Sequence, residues 1–85
     1  MIALLKLNVT DTDSFCSKIN TLKSTVIAVE ADREVYIKSL ISLITLFTFD
    51  YTRELTLKII SDDDYELKRF KEIIEQYGGK IIDQS

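Results

Sequence analysis

Apolar and polar residues alternate at two places, Leu5-Lys6-Leu7-Asn8-Val9 and Leu55-Thr56-Leu57-Lys58-Ile59. A period of two turns one set of side chains to a core and the other to water, so both stretches predict strands, the first over residues 2 to 8. Val26, Ile27 and Val29, within Thr25 to Glu30, are β-branched and suit a pleated surface, which predicts a second strand. Ala31-Asp32-Arg33-Glu34 then turns the chain, and Val35-Tyr36-Ile37 returns it as a third.

The period becomes helical in between. Thr10-Asp11-Thr12-Asp13-Ser14 is a run of side chains that hydrogen-bond their own backbone, with an N-cap expected at Asp11 or Asp13. Phe15, Ile19 and Leu22 follow at i, i+4 and i+7, which predicts a helix of about three turns with Cys16 beside its stripe. Ser39 is placed to cap a short helix that carries Leu40, Leu43, Ile44 and Phe47 on one face, because a strand continuing from Val35 to Phe49 would be unusually long. Thr48 to Glu54 connects it to the fourth strand. The acidic run Ser61-Asp62-Asp63-Asp64 opens a last helix, with Asp63 and Glu66 in capping-box spacing and Leu67, Phe70, Ile74 and Tyr77 as its apolar stripe. Gly78 and Gly79 end it.

Strand, helix, strand, strand, short helix, strand, helix is the order of an α+β layer protein. The expectation is an open-faced sandwich, a four-stranded antiparallel sheet with its helices on one face. The chain of 85 residues allows one domain, residues 1–85, and its 46% hydrophobic content supplies one core. No apolar run is long enough to cross a bilayer. Met1-Ile2-Ala3-Leu4-Leu5 has neither a basic leader nor a cleavage site, so a cytoplasmic protein that does not engage membranes is expected. A net charge of -3 without a Lys/Arg stripe gives no footprint for nucleic acid.

Histidine is absent, which removes imidazole acid/base catalysis, His-ligated metals and Ser/His or Cys/His nucleophile pairs. The single Cys16 has no internal disulfide partner and is expected as a buried thiol. Asp62-Asp63-Asp64, like Asp11 and Asp13, lacks the spaced oxygen ligands and glycine of a calcium loop, so no metal and no cofactor are expected. Tyr51, Arg53 and Glu54 lie in a connection where they could touch a partner.

The segment Ile37-Lys38-Ser39-Leu40-Ile41-Ser42-Leu43-Ile44-Thr45-Leu46, together with Glu54-Leu55-Thr56-Leu57 and the acidic-led helix ending in Tyr77-Gly78, resembles HPr. HPr is the histidine-containing phosphocarrier of the bacterial sugar phosphotransferase system. In that family the loop after the first strand holds the phosphorylated histidine, followed by an arginine and a proline. This chain has Asn8-Val9-Thr10-Asp11-Thr12-Asp13-Ser14 there, with none of the three, and Asp11 and Asp13 would repel a phosphate. The resemblance therefore implies an HPr-like protein that is not a histidine phosphocarrier. Ser39 matches the family's regulatory serine, a substrate of a dedicated HPr kinase. Leu40, Ile41 and Ile44 are the expected partner-binding side chains of a non-catalytic interaction module. Its expected partners are phosphotransferase-system proteins, transcriptional regulators or the kinase. The alternative is a phosphoacceptor or enzyme component that uses Asp11 or Asp13, or phosphorylation of Ser39.

Overall fold

A computed structural model describes residues 1–84. In these residues β1 (Ile2–Asn8) leads through a single 3₁₀ turn (Val9–Asp11) into α1 (Thr12–Ile19). The hairpin β2 (Thr25–Glu30) and β3 (Arg33–Tyr36) follows, then α2 (Leu40–Thr45), β4 (Thr52–Ile60), α3 (Asp64–Gln76) and β5 (Lys80–Asp83). The five strands form one open antiparallel sheet in the order β3-β2-β4-β1-β5.

The pleat divides the side chains of that sheet between two environments. Ala3 pairs with Leu57 and Leu5 with Leu55 across β1 and β4, and Val26 pairs with Ile59 and Ala28 with Leu57 across β2 and β4. These residues share one buried cluster with Phe15 and Ile19 of α1, Leu43 of α2, and Phe70, Ile73 and Ile74 of α3. The helices therefore cover this face, because each has one apolar stripe to remove from water. No described helix is long and apolar enough to cross a membrane.

The fifth strand corrects the four-stranded expectation. Gly78 adopts φ +82 and ends α3, as its sequence context suggests. Gly79 has a second role: a Cβ there would lie 2.7 Å from the carbonyl oxygen of Leu4 and 2.7 Å from Cγ2 of Ile74. The missing side chain lets the chain pass against β1, so that Lys80–Asp83 pairs with its open edge.

Other boundaries move for local reasons. α1 has eight residues, shorter than expected, and Leu22 is buried from the loop beyond it. The turn before α1 is capped by Asn8, whose Oδ1 accepts from the backbone N–H of Thr10 at 3.1 Å; Asp11, at the N-cap of α1, makes no side-chain cap bond. At α3 the cap is Asp63, accepting from the N–H of Tyr65 at 2.9 Å. Glu66 does not complete a capping box, because it is bound elsewhere. β4 starts at Thr52, earlier than the alternation suggests, and β3 starts at Arg33, within the expected turn.

Candidate functional site

The junction of β3 and α2 is held from below by α1. Asn20 Nδ2 donates to the carbonyl of Lys38 at 2.9 Å, and the Cys16 thiol donates to the same carbonyl at 3.3 Å. Lys38 Nζ in turn donates to the carbonyl of Leu22 at 2.5 Å. Burial, with the Asp13 carboxylate adding to it, pushes the Cys16 thiol above its ordinary pKa, against hydrogen bonding from Asn20. Cys16 is thus a buried, protonated tie between α1 and the junction rather than a nucleophile.

On this support Ser39 begins α2. Its backbone is extended, its hydroxyl accepts from the N–H of Ser42 at 3.4 Å, and its carbonyl accepts from Leu43 at 2.9 Å. The Ser39 side chain is at the surface. The apolar residues after it separate into two sets. Leu43, Leu46 and Phe47 are buried, and Leu40 is half-buried against the core. Ile41 is 78% exposed and Ile44 45% exposed. The single-face stripe of Leu40, Leu43, Ile44 and Phe47 is therefore only partly realised. The helix stops at Thr45 and the chain turns, so Leu46 takes the inward place that helical spacing assigns to Ile44.

The loop that follows continues the exposed apolar surface. Phe49 is 95% exposed and Tyr51 79% exposed. Helical spacing misses Phe49, which lies outside the stripe; its signal is that it is a large apolar residue left over once Leu43, Leu46 and Phe47 fill the core. The loop's backbone is nevertheless fixed. Thr48 sits at φ 50, the N–H of Asp50 donates to Phe47 at 2.6 Å, and the N–H of Val9 donates to Tyr51 at 2.6 Å. The Arg53 guanidinium donates to the carbonyl of Leu46 and pairs with Glu30 at 2.8 Å. Val9, Thr48, Phe49, Asp50 and Tyr51 line a shallow depression of about 260 Å³. Asp50 is the charged residue of this lining and is exposed.

Asp11 and Asp13 stand at the exposed start of α1, and Asp62, Asp63 and Asp64 at that of α3. Among the described residues no group of three His, Cys, Asp or Glu side chains is placed to hold a metal ion, and no buried side-chain nitrogen or oxygen lacks a hydrogen-bond partner. What the arrangement offers is an exposed apolar surface on α2 and the loop after it, carried on a hydrogen-bonded backbone. The chain matches no family model, no curated protein and no solved structure.

Proposed function

We propose that this chain is an HPr-like, non-catalytic interaction module of bacterial cytoplasm, in which the α2 surface docks a protein partner. The observation that carries the reading is the exposure of Ile41, Ile44, Phe49 and Tyr51 on a backbone fixed by Arg53, Val9 and Asn20. Large apolar side chains on a rigid support lose little conformational entropy when a partner covers them, and such anchors dominate binding energy. The link to HPr rests on the Ile37–Leu46 segment and on the order of elements up to α3. A phosphotransferase-system protein or a transcriptional regulator is the partner class that this link suggests. Without histidine, the module modulates such a partner by occupancy rather than by passing on a phosphoryl group.

Two measurements test this. The wild-type chain as affinity bait retains a partner that Ile41→Asp and Phe49→Asp release, each variant keeping its melting temperature; retention by both variants would refute the surface. Incubation with phosphoenolpyruvate and the general phosphotransferase enzyme leaves the intact mass unchanged. A phosphoryl adduct would instead favour a carboxylate phosphoacceptor at Asp11 or Asp13.

A second reading is regulation at Ser39, favoured by the exposure of its hydroxyl next to Ile41. A phosphate there adds close to two negative charges beside the docking surface. A cognate HPr kinase then adds one phosphate to the wild-type chain and none to Ser39→Ala; an unmodified wild type sinks this reading.

A further inference from the structure

The side of the sheet without helices has no assigned role, and its composition is unusual for a surface in water. Ile27 pairs with Lys58 of β4 and Tyr36 of β3, so its side chain shares their outer face, yet it is only 1% exposed and stands apart from the helix-side core. Around it Val29 is 41%, Ile60 54% and Tyr36 64% exposed, and Ile2 and Leu4 are half-buried on the same face. A solvated antiparallel face normally alternates to polar residues.

We propose that this open sheet face packs against the same face of a second copy of the chain, forming a twofold-symmetric sheet-on-sheet dimer. Size and charge both point to a second copy. The strands are unequal, with seven, six, four, nine and four residues from β1 to β5, so at about 3.4 Å by about 4.8 Å per residue each partner offers roughly 500 Å². Two such faces reach about 1,000 Å², the threshold of a specific interface, which fits a weak dimer formed at high concentration. The charges on the face are mixed, with Lys6, Lys58 and Lys80 against Glu34, Glu54 and Asp83.

The same charges select the axis. A twofold along β4 would set Lys58 over Lys58 and Glu54 over Glu54 of the second copy. An axis across the strands, between the row Ile2-Lys58-Ile27 and the row Leu4-Thr56, sets Lys58 over Thr56 and Ile2 over Leu4 instead. The two sheets then meet with their strands within about 30°. This arrangement does not depend on the HPr-like reading.

Sedimentation equilibrium of the whole chain from about 5 to about 200 μM tests it. The wild type is dimeric at the upper concentrations. Thr56→Lys places an ammonium opposite Lys58 of the other copy and weakens the dimer at least about tenfold. Adding Lys58→Glu to that variant restores the dimer, which a general loss of stability would not do. Should Thr56→Lys not fold, Val29→Lys carries the same test. A monomeric wild type, a dimer insensitive to Thr56→Lys and Val29→Lys, no rescue by the second change, or dissociation by Ile41→Asp would each overturn the proposal.

Discussion

The loop leaving α1, residues 20–24, is closed by a carboxylate, whereas the loop leaving α2, residues 46–51, turns aromatic rings outward. In the first, Glu66 reaches from α3 and accepts from the N–H of Lys23 at 2.7 Å, the N–H of Ser24 at 2.8 Å and the Ser24 hydroxyl at 2.9 Å. These donors, the Ser24 N–H foremost, and the nearby Lys38 charge hold the Glu66 carboxyl below its ordinary pKa, against the opposing effect of burial. In the second, Arg53 and Val9 secure the backbone while Phe49 and Tyr51 stay in water. Both are helix-to-strand connections of similar length. One uses the amides of Lys23 and Ser24 and the Ser24 hydroxyl to complete the fold. The other is anchored by Leu46 and Phe47 beneath and keeps apolar groups for a partner, which is why the docking surface belongs to α2 and not to α1.

The largest expected effect falls on the anchor of the second loop. Phe47→Ala removes a ring that is 2% exposed and costs about 3–5 kcal/mol in urea unfolding. A loss under 1 kcal/mol would mean that the loop is not held by its core side chain.

Next comes the clamp on the first loop. A carboxylate with a depressed folded pKa contributes stability above its ordinary unfolded value, and that contribution is lost as pH falls through the folded value. Unfolding midpoints between about pH 5 and pH 2 therefore fall more steeply for the wild type than for Glu66→Gln. Equal slopes would show that the carboxylate charge is not what closes the loop. Hydrogen exchange at the Lys23 and Ser24 amides should also quicken in Glu66→Gln.

Thr48 offers a smaller effect of opposite sign. A β-branched residue at φ 50 is strained, so Thr48→Gly should raise stability by about 0.5–1 kcal/mol, once glycine's entropy is subtracted from the relief. Unchanged or lower stability would count against strain at this turn. The smallest change is expected for Phe49→Ser, within about 0.5 kcal/mol of wild type, because the ring makes little contact with the fold. A larger loss would place Phe49 among structural residues and remove it from the docking surface.

Much of this fold was legible in local pattern. The alternation of Leu5, Leu7, Leu55, Leu57 and Ile59 placed β1 and β4, and the β-branched run placed β2 at Thr25–Glu30. Asp63 and Ser39 marked the starts of α3 and α2, because a cap needs only a side-chain oxygen and the amides of the next turn. Of the candidate surface, Ile41 and Tyr51 were visible as apolar or aromatic residues beside a short helix, while Phe49 was not.

What tertiary structure alone decided depends on residues far apart in sequence. Lys80–Asp83 is a strand because Gly79 lets it approach β1, which itself supplies the free edge. Glu66, spaced for a capping box, serves a loop more than 40 residues earlier, since Lys23 and Ser24 bring it three donors. Ile44 stays at the surface while Leu46 goes in, because α2 stops at Thr45 and the turn after it carries Leu46 and Phe47 inward. Period and capping chemistry are read within one turn or one strand, and the chain carries them in its sequence. Which edge is open, which donors lack an acceptor and which apolar side chains are left uncovered arise only when the elements meet.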